Sequence, residues 1–256
     1  MFDAMVRNFL LGLHETQLPP GFPAPLLPGS GRAYASAPVK VAYFGIETYG
    51  WLSLPEIAEA FQKDEAAAIG TVRDAATESL ARRDHLQWWK GGRSPFWSFV
   101  LRTQAMLVGA NYEDLREAGS APDALAFVDT FAWGNLLPIE RFLTARESSP
   151  DLTRTQWAEI QNMAAVSLPF LKPALTALQP HVCVFTYWDG TEDLLSGIPF
   201  QKVLHDDHFA LYNLADPSIA IIWTRHPRSM LRHGGLSPFV ERTCAFIKEA
   251  IQNGKL

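Results

Sequence analysis

Three short segments of the 256-residue chain concentrate residue types that can do chemistry. The first is Gly45-Ile46-Glu47-Thr48-Tyr49-Gly50-Trp51, where two glycines bracket a carboxylate and two aromatic rings. Such a loop can carry an acid and a ring to a binding crevice. The second is Trp133-Gly134-Asn135-Leu136. An Asn offers both a donor and an acceptor, which suits the reading of an amide-like edge. The third runs from Thr224 to Gly235 and holds Arg225, His226, Arg228, Arg232 and His233, a phosphate-binding composition in an otherwise acidic chain. Each segment also has an ordinary reading. Glu47 alone fits a solvated loop carboxylate, Asn135 fits a cap or turn residue, and the Arg/His run fits a solvated surface loop. A fourth cluster, His205-Asp206-Asp207-His208, offers four potential metal ligands. Adjacent residues on an extended strand point to opposite faces, so these four converge only around a turn.

The elements that must position these segments follow from hydrophobic periodicity. Val39 to Ile46 is a β-branched and aromatic run and reads as the first strand. Leu125 to Trp133, Val182 to Tyr187 and Ile219 to Trp223 read as three more. Between them, Leu54, Ile57, Phe61, Ile69, Val72, Ala76 and Leu80 recur at helical spacing. So do Trp157, Ile160, Ala164, Leu168, Leu171, Leu175 and Leu178. The first stripe is one helix or two, since Lys63-Asp64-Glu65 and Gly70 interrupt it. Ser94-Pro95 and Ser237-Pro238 each read as a helix start, with Ser as N-cap and Pro in the first turn. Val240, Cys244, Ile247 and Ile251 mark the buried face of the last helix. Nearly continuous apolar strands alternating with helices predict a three-layer α/β/α sandwich around a mostly parallel four-stranded sheet. In such sheets ligands bind beyond the carboxyl ends of the strands, where the first three segments fall. Residues 1–38 are expected to form a short N-terminal helix and a Pro/Gly-rich arm. Residues 39–256 are expected to form a single α/β domain.

Composition narrows the function classes. The chain has 22 Lys and Arg against 27 Asp and Glu, a net charge of −5. That excludes wrapping of nucleic acid by bulk charge but leaves a local basic groove open. Two cysteines, Cys183 and Cys244, are too few for a four-cysteine zinc site, an iron–sulfur cluster or a disulfide scaffold. No apolar run approaches the roughly 20 residues of a membrane span, and no secretory signal stands out. The expectation is a cytoplasmic, monomeric protein without a membrane partner, a metal or a cofactor.

The three strand-end segments together resemble the uracil-DNA glycosylase-like superfamily, an α/β/α sandwich with a central parallel sheet. Gly45-Ile46-Glu47-Thr48-Tyr49 looks like its first motif, Gly-Gln-Asp-Pro-Tyr in the best-known branch. Asn135 resembles the Asn that closes the second-motif strand. His226-Pro227-Arg228-Ser229-Met230-Leu231-Arg232 is similar to the third motif, His-Pro-x-x-x-Leu-Arg. The resemblance covers about residues 39–235, in the right order. It departs from the best-known branch at Ile46 for Gln, Thr48 for Pro and Gly50 for His. The loop instead continues to Trp51, as in branches with a Gly-x-Glu-Thr-x-Gly-Trp pattern.

The resemblance implies a DNA partner and specific roles. Glu47 falls on the water-activating acid and Tyr49 on the ring beside the base's 5-position. Gly45 and Ile46 would line the base, and Asn135 would hydrogen-bond it. Phe96, Trp97 or Phe99 would stack on it, with Phe96 and Phe99 the rings assigned. His226 would act on a base carbonyl. Arg225, Arg228 and Arg232 would hold phosphates, and Met230 or Leu231 would fill the gap left by the base. The implied activity is release of uracil, or of another damaged or modified base, by water attack on the N-glycosidic bond. Two other classes fit the same segments: a catalytically dead binding module of this fold, and a metal-dependent phosphoesterase built on His205-Asp206-Asp207-His208.

Overall fold

The computed structural model describes residues 3, 7, 28–31, 33–45, 60–82, 94–118, 129–136, 171–187, 195 and 197–252. The expected elements at 125–128 and 157–170 lie outside these residues. So does most of the N-terminal helix, of which Asp3 and Arg7 are helical. The chain divides into two compact units. Residues 1–28, 46–80 and 134–177 form one, and residues 29–45, 81–133 and 178–256 form the other.

In the first unit, residues 60–63 are helical, Asp64 breaks the run, and α1 spans Glu65–Arg82 into the second unit. The break is a capping event. The Asp64 carboxylate accepts the backbone N–H of Ala67 at 3.0 Å, satisfying one of the donors that a helix start leaves open. Gly70, the other interruption in the sequence, is carried through the helix.

The protein is an α/β protein built on a seven-stranded mixed sheet. Its strands are β1 (Gly29–Ser30), β2 (Val41–Gly45), β3 (Phe131–Asn135), β4 (Val182–Phe185), β5 (Phe200–His205), β6 (Phe209–Ala215) and β7 (Ser218–Thr224), in the order β1-β3-β2-β4-β7-β6-β5. The four strands expected from sequence are thus contiguous, as β3-β2-β4-β7. β2 runs parallel to β4, and β4 to β7. Every residue of β2, β3 and β4 is buried, so both faces of this part of the sheet are covered.

The expected sheet of four mostly parallel strands is corrected by the three added strands. β5 and β6 form an antiparallel hairpin on β7, and β1 pairs antiparallel with β3. β5 escapes a reading based on apolar runs because it is an edge strand. Its residues are exposed or half-exposed, so nothing demands an apolar pattern. Lys202 and a register shift between Lys202 and Leu204 blunt that edge against further pairing.

Among the described residues, four further α-helices lie in the second unit. α2 (Pro95–Leu107) starts as the sequence predicts, with the Ser94 side chain accepting from the Trp97 N–H and Pro95 in the first turn. α2 is followed by α3 (Tyr112–Ala118), and its Arg102 pairs with Glu113 at 2.5 Å. After β7 come the one-turn α4 (Pro227–Met230) and α5 (Ser237–Gln252). α5 packs on α2, where the Cys244 thiol donates to Thr103 O at 3.4 Å; Phe239, Val240, Cys244 and Ile247 are among its buried residues. No helix among the described residues is long and apolar enough to cross a membrane.

The chain just after β1 is held by a close backbone approach. The Gly31 N–H donates to Phe131 O at 2.9 Å, and the Ala33 N–H donates to Asp129 O at 3.0 Å. A Cβ on Gly31 would overlap the Asp129 backbone, which has no flexible end to yield. Gly31→Ala is therefore expected to destabilise the protein by about 1–3 kcal/mol, the usual cost of overpacking. A urea melt checks this, with Gly109→Ala, where a Cβ meets nothing within 4 Å, as the reference for a purely conformational cost.

Candidate functional site

The carboxyl ends of β2, β4 and β7 are tied to one another. Thr186 donates both its backbone N–H (2.9 Å) and its hydroxyl (3.1 Å) to Phe44 O, joining the end of β4 to that of β2. The Trp223 indole N–H donates to Tyr187 O, joining β7 to β4. The rings of Phe44, Phe185 and Trp223 continue the contact edge to face, with centroids 5.6 and 5.5 Å apart. Residue chemistry alone does not single out Thr186 or Trp223. The available signal is a hydroxyl residue closing an all-apolar strand, where a buried O–H needs an acceptor.

β2 ends at Gly45. Ile46, Glu47, Tyr49 and Trp51 lie outside the described residues. Asn135 is the last residue of β3 and is buried, 9% exposed. A buried amide at a strand end keeps its polar edge for specific partners rather than bulk water.

The segment after β7 is ordered turn by turn. His226 is the N-cap of α4, and its Nδ1 accepts the Arg228 backbone N–H at 3.2 Å. An accepting Nδ1 carries no proton, so the neutral ring bears its proton on Nε2 and presents that atom as a donor. Partial burial pushes the His226 pKa below its ordinary value, and the Arg228 charge adds to this. Next, the Arg232 backbone N–H donates to Ser229 O at 2.9 Å. The backbone N–H groups of His233 and Gly235 both donate to Met230 O, at 3.0 and 3.1 Å. Gly234 and Gly235 have φ of 100° and 94°, which only glycine adopts without strain.

This folding separates residues that the sequence leaves equivalent. Met230 is fully buried, so it packs the underside of the segment and cannot be the exposed wedge. Leu231 is 54% exposed, with Arg228, Arg232 and His233 exposed around it in sequence. Arg225 is half-buried. Its Nε donates to His208 Nδ1 at 2.8 Å and its Nη2 to Asp207 O at 2.6 Å. Those internal bonds engage two nitrogens of the guanidinium expected to hold a phosphate.

Among the aromatic candidates on α2, Phe99 is fully buried and belongs to the core, not to a stacking surface. Phe96 and Trp97 are half-buried. Trp97 packs edge on against Phe96 and Trp133, at centroid distances of 5.3 and 5.9 Å. Helical periodicity cannot separate these three rings, because they occupy the first turn and a half of the helix.

The His205-Asp206-Asp207-His208 cluster is the tip of the β5–β6 hairpin. Asp206 Oδ1 accepts the N–H groups of His208 and Phe209 at 2.8 and 2.9 Å, and Oδ2 pairs with Arg242. The Asp206 carboxyl is pulled below its usual range by these bonds and by the Arg242 charge, against the opposing effect of its own desolvation. With His208 Nδ1 taken by Arg225, the four side chains do not converge. Among the described residues no group of three or more His, Cys, Asp or Glu is placed to hold a metal ion. A cavity of about 50 Å³ lined by Val203, Leu211, Asn213, Phe246 and Glu249 lies at the edge hairpin and gathers no chemically active cluster.

Comparison of the chain with protein-family models and with curated proteins finds no match.

The burial of His226 makes stability depend on pH with a definite sign. Its folded pKa is lowered from 6.5, so the unfolded chain binds the proton more readily. The contribution of neutral His226 is complete above 6.5 and is lost as pH falls through the folded pKa. His226→Asn keeps a capping acceptor and does not titrate. Urea melts at stepped pH should show the variant losing less stability than wild type below 6.5. Parallel curves would mean that His226 is not held neutral by the fold. His181, whose pKa is also lowered, remains in both proteins and cancels from the comparison.

Proposed function

We infer that the protein is a DNA N-glycosylase. In this reading it takes a flipped nucleotide, releases uracil or another damaged or modified base, and leaves an abasic site. The observation that carries the inference is the segment after β7. A neutral, half-buried histidine with its Nδ1 satisfied starts the segment, and an exposed leucine between two exposed arginine positions follows within six residues. That combination suits a base-carbonyl donor beside a wedge and phosphate anchors.

The sheet supports the same reading. The chain leaves β2 for β3 on one side and leaves β4 for β5, at the far edge, on the other. Strands whose connections part in this way form a topological switch point, and ligands bind beyond their carboxyl ends. Glu47 comes two residues after the end of β2. The reading includes helices on both faces of the sheet as a three-layer sandwich, and the complete burial of β2, β3 and β4 supports it.

The chemistry assigns the roles. Cleavage of an N-glycosidic bond builds positive charge on the sugar and negative charge on the departing base. Glu47 orients the attacking water and stabilises the sugar cation. The His226 Nε2–H and the Asn135 amide stabilise charge on the base oxygens. Flipping costs a few kcal/mol, which stacking and hydrogen bonds in the pocket offset. Tyr49 and either Phe96 or Trp97 supply the stacking. Leu231 fills the vacated space, while Arg228 and Arg232 hold phosphates. Gly45 and Ile46 line the base.

One panel tests the reading: oligonucleotides carrying uracil, hypoxanthine, xanthine, alkylated or hydroxymethylated bases, each followed by alkali cleavage at abasic sites. At least one base should be released, with no effect of a chelator. Release abolished by chelator would favour a metal-dependent enzyme. Tight binding without release would favour a binding module. Glu47→Gln is expected to keep DNA binding and to slow release about a hundredfold or more, the scale of losing a positioned general base.

The two exposed arginines give an independent check. Arg228→Ala and Arg232→Ala should weaken binding to all DNA sequences alike. Each should flatten the dependence of log K on log salt by about 0.9, the value for one phosphate left unneutralised. An unchanged salt slope would show that these side chains do not neutralise phosphates.

A further inference from the structure

We propose that the tip of the β5–β6 hairpin is a positioning element for the 226–235 segment, acting through a clasp between His208 and Arg225. The proposal deepens the glycosylase reading, on which its DNA measurement rests.

Arg225 is the residue immediately before His226, so whatever fixes its guanidinium fixes the direction in which the chain leaves β7. Two acceptors on the hairpin tip take it: His208 Nδ1 at 2.8 Å and Asp207 O at 2.6 Å. A guanidinium presents its donors in a rigid planar fork, so two bonds set an orientation that one bond would leave free. Thr224, one residue earlier, adds a third tie, its hydroxyl donating to His208 O at 3.1 Å.

The tip is itself held from its other side. Asp206 closes the turn with its two backbone bonds and pairs with Arg242 on α5. The Arg242 guanidinium stacks on Phe209 and Phe246, 4.8 and 5.3 Å from their ring centres. The His208 ring lies 5.4 Å from both Phe239, at the start of α5, and His233, within the segment. His208 therefore touches the segment twice, at its entry through Arg225 and near its end through His233. A core sheet of four parallel strands has no part that does this, which gives the added hairpin a use beyond covering an edge.

The measurement is hydrogen–deuterium exchange over residues 226–235, with exchange in β4 of the same protein as the internal reference. Four variants are compared with wild type: His208→Ala, His208→Asn, Arg225→Ala and the double variant His208→Ala/Arg225→Ala. The Asn amide oxygen can take the place of Nδ1 as acceptor, so His208→Asn distinguishes the clasp from ring packing. Both alanine variants should speed exchange of the segment about tenfold relative to β4, and the double variant should add nothing further, as expected of two partners in one interaction. His208→Asn should restore slow exchange. In the DNA arm, affinity for a duplex with one abasic site should fall in His208→Ala with an unchanged salt slope, since the phosphate-binding arginines are all retained. Exchange unaltered by His208→Ala, or effects of the two alanines that simply add, would overturn the clasp. A wild-type protein that releases no base from the panel while its clasp variants behave as described would overturn the glycosylase reading alone.

Discussion

The architecture depends on the burial of three adjacent strands along their whole length. β2, β3 and β4 have no exposed residue. A backbone polar group placed there can be satisfied only by a neighbouring strand or by a side chain that donates inward. The parallel registers of β2 with β4 and of β4 with β7 meet that demand along the strands. Thr186 meets it where the ladder runs out, by giving Phe44 O two donors. Buried polar side chains follow the same rule. Gln104 donates to the Tyr43 hydroxyl at 2.9 Å, and Thr103 donates to Phe99 O at 2.8 Å. The Thr186 bonds hold the ends of β2 and β4 together, and a held edge is what a chemical site requires.

How much of this is legible in the sequence follows from the same burial. Strands inside the sheet must be apolar throughout, and the runs at 39–46, 182–187 and 219–223 match β2, β4 and β7 within two residues at each end. Ser94-Pro95 announces α2 because capping is local chemistry. β5 is hidden for the converse reason, and β6, mostly buried between β5 and β7, is passed over with it. An edge strand faces water and carries no signature in periodicity, while its hairpin tip, rich in His and Asp, imitates a metal motif. β1 is hidden by length. Two residues cannot establish a period, and Gly29–Ser30 lies in a Pro/Gly-rich stretch that reads as an arm.

The candidate site is legible in type but not in direction. Residue chemistry singles out the segment after β7, yet it cannot tell Met230 from Leu231. The one-turn helix settles that, by turning Met230 into the core and leaving Leu231 outside. Phe96 and Phe99 pose the same problem on α2. They are three apart, near neighbours on a helix, and the sequence does not say at which residue the buried face ends. Thr186 and Trp223 escape notice because their value is relational. Each matters for the carbonyl it meets on another strand, and that carbonyl belongs to no side-chain pattern.

The arginines show how position overrides type. Arg225, Arg228, Arg232 and Arg242 lie within eighteen residues and would be interchangeable in any count of basic charge. Arg242 is consumed by Asp206 and two aromatic faces, and Arg225 by the hairpin tip. Of the four, Arg228 and Arg232 are the exposed pair and stand where a mobile polyanion can reach them. A phosphate contact needs an accessible guanidinium. A strand end that must hold its direction needs a committed one. In the glycosylase reading both kinds are required within one segment, and the fold supplies them by placing the committed arginine before the histidine and the accessible ones after it.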